Sequence, residues 1–206
     1  MSNEVLVAIT VALLAVGLVG GVLFFNSQKV VEEKPMVQEQ VVETISTEGL
    51  VSLLNNSSFD TMIVDDEKDP MHWFIWQAST YKISGARVSD LEVKDGYIAI
   101  TVANPGTDTW HIQFDQDVKL EKGKTYVFSF KAKADAPRKI NAKILQNHDP
   151  YTNYLAKTVD LTTEWQTFTF EYTHPETADE VVRVSFELGK DVATTIYFDD
   201  VIVASK

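Results

Sequence analysis

The chain has 206 residues, 18 Lys+Arg against 30 Asp+Glu for a net charge of −12, and no cysteine. That length suits one good-sized domain with accessories, the acidic balance makes a phosphate backbone a poor partner, and the lack of cysteine removes disulfides, thiolate metal sites and cysteine nucleophiles. The four histidines, His72, His111, His148 and His174, are too dispersed for a His-x3-His zinc pair.

Val5 to Phe25 reads VLVAITVALLAVGLVGGVLFF, with Thr10 its one mildly polar member. A helix of that length rises about 31 Å, matching a bilayer core of about 30 Å. A cleaved signal peptide would need a basic start, a shorter apolar run and a small-residue exit, and none of these is present. The expectation is therefore an uncleaved transmembrane anchor over residues 1–25. Lys29 and Lys34 follow the span beside Glu32 and Glu33, a bias too small to orient it. Gly17 and Gly21 form a Gly-x-x-x-Gly step at which a second helix can approach closely, so a partner helix or self-association in the membrane is the packing expectation. Glycine is also common in spanning helices that make no such contact. Residues 26–49 turn polar and acidic and read as a stalk, either an amphipathic helix through Val37, Val41, Val42 and Ile45 or an extended linker.

Beyond Gly49 the texture changes to short β-branched and aromatic runs separated by turn residues, the pattern of a sandwich or barrel. Strands are predicted at Leu50–Leu54, His72–Gln77, Tyr97–Ala103, Trp110–Asp115, Thr125–Ala134, Lys139–Gln146, Leu155–Leu161, Gln166–Thr173, Val181–Leu188 and Thr194–Val203. Lys94-Asp95-Gly96, Asn104-Pro105-Gly106 and Glu121-Lys122-Gly123-Lys124 supply the turns. Alternation sends Tyr126, Phe128 and Phe130 inward, and Val182, Val184, Phe186 and Leu188 likewise. Arg183, Ser185 and Glu187 take the opposite face, which is either solvent surface or the lining of a groove.

Several motifs in this region share an order and spacing. They are Asn55-Asn56-Ser57-Ser58-Phe59-Asp60, Trp110-His111-Ile112-Gln113-Phe114, Leu120-Glu121-Lys122-Gly123-Lys124-Thr125-Tyr126 with Phe128 to Ala134 behind it, Leu161-Thr162-Thr163-Glu164-Trp165-Gln166, and Ile196-Tyr197-Phe198-Asp199-Asp200-Val201. Together they resemble the carbohydrate-binding modules of the β-jelly-roll group, families four, nine, sixteen and twenty-two, over about residues 50–206. The resemblance implies an all-β, two-sheet jelly-roll β-sandwich, here preceded by one N-terminal transmembrane α-helix and a stalk. It implies a structural calcium ion (Ca2+) joining the first strand to the last through Asp60 and Asp199 or Asp200, with backbone carbonyls completing the oxygen shell. It also implies a concave face on which aromatic rings stack on sugars and polar groups bond the hydroxyls. That role would fall to Trp110, Gln113, Gln146, Tyr151, Tyr154, Arg183 and Glu187, with Trp76 reaching the same groove. Trp110 and Gln113, three apart, point to opposite faces of a regular strand, so both line a groove only if the strand is irregular. Trp165 would pack in a turn.

The acid clusters Asp65-Asp66-Glu67, Asp179-Glu180 and Asp199-Asp200 are runs of adjacent residues rather than two carboxyls set across a sugar. No Gly-x-Ser-x-Gly elbow, phosphate-binding loop or His-Glu-x-x-His motif occurs. The expected function is that of a membrane-anchored, surface-displayed, non-catalytic carbohydrate binder with a polysaccharide or glycan as partner and the C-terminal domain outside the cell. The alternative is a structural subunit of a filament or membrane complex whose helices bundle and display the sandwich.

Overall fold

A computed structural model describes residues 45–61 and 68–206. The anchor, Gly17, Gly21 and the stalk through residue 44 lie outside the described residues, as do Asp65, Asp66 and Glu67. Among the described residues no helix is long and apolar enough to cross a membrane.

Ten strands form two five-stranded sheets. The strands are β1 (Phe74–Gln77), β2 (Arg87–Lys94), β3 (Tyr97–Asn104), β4 (Ile112–Lys119), β5 (Thr125–Ala134), β6 (Arg138–Gln146), β7 (Asn153–Leu161), β8 (Gln166–Thr173), β9 (Val181–Glu187) and β10 (Thr195–Ser205). One sheet runs β1-β4-β9-β6-β7 and the other β2-β3-β10-β5-β8, with antiparallel pairing throughout. This is the expected all-β two-sheet sandwich.

Period-two alternation builds the core. Ile112, Phe114 and Val118 of β4, Val182, Val184 and Phe186 of β9, and Ile140, Ala142 and Ile144 of β6 meet Ile98, Ile100, Phe128, Phe130, Phe198 and Val203 of the other sheet. Phe186 is central, with ring centroids 4.5 Å from Phe198, 4.9 Å from Phe130 and 6.0 Å from Phe128. In β10 the register shifts between Asp199 and Ile202, and Asp200 adopts φ 46°. One extra residue there returns Val201 and Val203 to the core after Phe198, which is the use of a β-bulge.

Three expectations need correcting. Residues 50–54 form no strand; they contribute buried Leu54 and one ladder-like bond, Leu53 N–H to Val203 O. β2 was not expected, because at an exposed edge its charged residues outnumber its apolar ones. Trp110 is not on a strand: it sits in a 3₁₀ turn, Thr109–His111, that leads into β4.

Candidate functional site

The register brings one row of residues across the outer face of the first sheet. Trp76 pairs with Gln113, Gln113 with Glu187, Glu187 with Asn141, and Asn141 with Thr158, one residue from each of β1, β4, β9, β6 and β7. Four strand spacings make that row roughly 19 Å long. The next row is Phe74, Asp115, Ser185, Lys143 and Ala156. Asp117, Arg183 and Leu145 begin a third.

A cleft of about 540 Å³ lies over these rows, lined by Trp76, Trp110, Gln113, Lys143, Tyr151, Arg183 and Glu187, with Pro70, Leu145, Asn147 and Asn153 at its sides. A second, separate hollow of about 360 Å³ is bounded by Thr109, Asn141 and Thr158, with Gly189 and Asp191 of the β9–β10 loop. Trp76 stacks on Tyr81 at 5.3 Å and meets Trp110 at 5.8 Å, so three rings flank one end. Tyr151 stands at the other, 54% exposed and held at φ 56°. A tyrosine kept in the left-handed region is strained, and such positions are characteristic of ligand clamps.

The 3₁₀ turn resolves the spacing problem of Trp110 and Gln113. Because Trp110 precedes the strand, both side chains reach the same cleft, and Gln113 Nε2 donates to the Trp110 carbonyl at 3.1 Å. The turn is held by Gly189, whose N–H donates to Thr109 O at 2.8 Å. A Cβ on Gly189 would fall 2.2 Å from the Asp108 carbonyl oxygen, so only glycine lets the β9–β10 loop come this close.

Charge is paired along the floor. Lys143 bonds Glu187, whose Oε2 also accepts from Thr109 Oγ1 at 2.7 Å and Asn141 Nδ2 at 2.9 Å. Arg183 Nε donates to Asp117 Oδ1 at 2.7 Å while Asn147 Nδ2 donates to Asp117 Oδ2 at 2.8 Å. The guanidinium also lies over the Phe74 ring at 5.1 Å. These pairs fix planar and amide donors in preset directions, which is what recognition of sugar hydroxyls requires.

Of the eight residues expected to bind sugar, Trp76, Trp110, Gln113, Tyr151, Arg183 and Glu187 come together in the cleft. Gln146 and Tyr154 do not. They converge on Asp179 instead, Gln146 Nε2 at 2.9 Å and Tyr154 Oη at 3.3 Å, with His148 Nε2 at 3.2 Å. Gln146 shares the parity of Ile140, Ala142 and Ile144, so alternation along β6 already turned it away from the outer face. The same alternation points Asn141, Lys143 and Leu145 outward, residues that reading from the motifs overlooked. Asn147 reaches the cleft from the β6–β7 loop, and Asn153 from the first position of β7, where the register shifts between Ile144 and Leu145.

The carboxylates assigned to calcium are otherwise engaged. Lys131 Nζ pairs with Asp200 and lies 3.7 Å from Asp199, while Asp60 Oδ2 accepts from Ser58 Oγ at 2.6 Å. Among the described residues no three His, Cys, Asp or Glu gather as a metal set. A calcium ion held by Asp60 and Asp199 or Asp200 would need backbone carbonyls to complete its shell of six or more oxygens. Two backbone bonds join this segment to β10, Val201 N–H to Ser57 O at 2.8 Å and Leu53 N–H to Val203 O at 2.7 Å.

A two-sheet sandwich with an aromatic-flanked, hydrogen-bonding cleft across one sheet is a binding module by architecture. The profile of the carbohydrate binding domain shared by families 4 and 9 matches residues 51–194, and the chain belongs to that family. It is 31% identical over 112 residues to a cellulose 1,4-beta-cellobiosidase of Acetivibrio thermocellus, a match covering 50% of this chain and 12% of that enzyme. A solved family 4 module is 67% identical, with a TM-score of 0.74 over 74% of this chain and 99% of its own. The second N-terminal cellulose-binding domain of Cellulomonas fimi β-1,4-glucanase C, 21% identical with a TM-score of 0.56 over 79% of this chain and 99% of its own, shares the fold.

Proposed function

We propose that the sandwich is a non-catalytic module that captures a single polysaccharide chain of the β-glucan or xylan class along the cleft, and that the apolar segment at residues 5–25 displays it from a membrane. The observation that carries the sugar reading is the cross-strand row Trp76–Gln113–Glu187–Asn141–Thr158, with Trp110 beside its Trp76 end and Tyr151 facing that ring across the cleft from the β6–β7 loop. A pyranose has an apolar C–H face and a polar rim, so a ring-flanked cleft floored by preset donors and acceptors matches it. The row runs across the strands, so a chain lying along it meets a new side chain at each strand. The cellulose named for the cellobiosidase relative points to β-1,4-linked glucan first.

The test is titration calorimetry of the chain in detergent against cellohexaose and xylohexaose, with Trp110→Ala and Tyr151→Ala beside the wild type. Binding weakened in both variants is expected, and no binding across a broad panel of glycans would sink the reading. Retention of the chain in carbonate-washed membranes, lost on deleting residues 1–25, tests the anchor separately.

A further inference from the structure

Asp115 is fully buried on β4, one strand in from the β1 edge of the sheet that carries the cleft. Among the described residues neither of its carboxylate oxygens has a hydrogen-bond partner, nor does the hydroxyl of Ser185, its neighbour across β4 and β9. Buried polar groups are almost always bonded, and the Ser185 hydroxyl lies near enough to Asp115 to lower its pKa without a bond of ordinary geometry, so this pair beneath a binding cleft calls for a role. The charged groups around Asp115 are Asp117 on its own strand, Arg183 and Glu187 on β9, and Lys143 beside Ser185 on β6; β1 contributes the uncharged Phe74 ring. Arg183 is the nearest cation, Nη1 to Oδ2 at 3.8 Å, yet its short bond goes to Asp117.

This is a set of three carboxyls and two cations. With Asp115 neutral, Arg183–Asp117 and Lys143–Glu187 are two matched pairs. With Asp115 ionised, a third anion repels Asp117 and Glu187 and pulls on Arg183 from below. Resting on the sugar-binding reading of the cleft, we propose that Asp115 is a positioning residue for Arg183: its protonated form leaves the guanidinium to Asp117 and the cleft, its charged form draws Nη1 inward, and saccharide is held more tightly by the protonated form. Burial, partly offset by Arg183, raises the pKa of Asp115 to about 7, so the two forms exchange near neutrality. If saccharide selects the protonated form, affinity rises as pH falls through that value, and proton uptake accompanies binding.

The experiment is calorimetry of the full chain in detergent at pH 6.0 and 8.5, with whichever of cellohexaose or xylohexaose binds more tightly. The wild type is expected to bind about threefold or more tightly at pH 6.0. Asp115→Asn, which mimics the neutral form, is expected to bind at the tighter value at both pH values. His148→Gln, which removes the titrating side chain held by Asp179, is expected to keep the dependence. In the free protein, the Asp115 carboxyl carbon followed by NMR is expected to titrate near neutrality together with the Arg183 side-chain nitrogens. Equal wild-type affinity at the two pH values, a dependence surviving in Asp115→Asn, or titration of Asp115 in the ordinary carboxylate range would each overturn the proposal while leaving the cleft reading intact. Absence of binding at both pH values would remove the cleft reading and this inference with it.

Discussion

Trp76 of β1 meets Trp110 of the 3₁₀ turn with ring centroids 5.8 Å apart and planes inclined at 40°, although 34 positions separate them in the chain. Trp76 is further braced by Tyr81, nearly parallel at 13°, whereas Trp110 is 39% exposed and leans on His111 edge-on. Trp110 is therefore the ring a sugar would cover, and Trp76 the ring that holds it in place. Trp110→Ala is expected to weaken saccharide binding about tenfold or more, or roughly 1.4 kcal/mol per factor of ten, with little change in melting temperature. Trp76→Ala should cost binding and some stability together. Calorimetry paired with thermal melts separates the two; unchanged affinity in Trp110→Ala would exclude this end of the cleft.

Gly189 makes a more indirect prediction. Its missing side chain admits Asp108 O and Thr109 O, at 2.2 and 2.7 Å from where a Cβ would stand. Gly189→Ala must push the 3₁₀ turn away and carry Trp110 with it. Affinity is expected to fall severalfold while the β-sheet circular dichroism is retained; wild-type affinity would show that the turn does not set the ring.

The core reads differently because its contacts are mutual. Phe186 touches Trp73, Phe114, Phe128, Phe130 and Phe198 and is fully buried. Phe186→Ala is expected to destabilise by about 3–5 kcal/mol in urea denaturation, the range for emptying a large aromatic site. A loss below about 1 kcal/mol would mean that the sandwich collapses around the gap.

How far the molecule was legible in its sequence follows from the same physics. Strands such as β5 and β8 have strong period-two aromatics and were placed to the residue, and the polar outer face of β9 was recognised as a possible groove. β2 was missed because Arg87-Val88-Ser89-Asp90-Leu91-Glu92-Val93-Lys94 shows alternation without enough apolar bulk, as befits an edge strand half-open to water. The cleft was found in part. Residues on regular strands obey parity, which points Lys143 outward and Gln146 inward, but Trp110 depends on a turn, Asn147 on a loop and Asn153 on a register shift, which period-two counting does not describe. The burial of Asp115 is not readable in the sequence, since its cross-strand neighbours Phe74 and Ser185 come from β1 and β9, distant in the chain.

Lys131 supplies a test of the calcium expectation. Its ammonium pairs with Asp200 and lies 3.7 Å from Asp199 at the bulge of β10, offsetting one of the two charges, and these partners raise its own pKa, with the Asp200 bond the largest cause. The melting temperature is expected to be the same in millimolar calcium and in chelator. Lys131→Met leaves two acids side by side without a counter-charge and should lower stability modestly, by about 0.5–1 kcal/mol for an exposed pair. A rise of several degrees on adding calcium to the wild type would place the ion at this site after all.

Asp115 also predicts the pH dependence of folding. Its pKa is about 7 in the folded chain against 3.8 for the free side chain, with burial the main cause. Between those values the folded state holds a proton that the unfolded state has released, so this group's contribution is complete below about pH 4 and is lost as pH rises to about 7. The loss is on the order of 4 kcal/mol at most. Asp179 and Asp191, held below the ordinary carboxylate range, act in the opposite sense and favour folding above it. The clean quantity is therefore the stability of Asp115→Asn minus that of the wild type, measured by urea denaturation in steps from pH 4.5 to 8.5. It is expected to grow by 2–4 kcal/mol, roughly, up to neutrality and then level off. A difference that stays constant with pH would mean that Asp115 is ionised in the folded protein throughout, and that Arg183 compensates its burial in full.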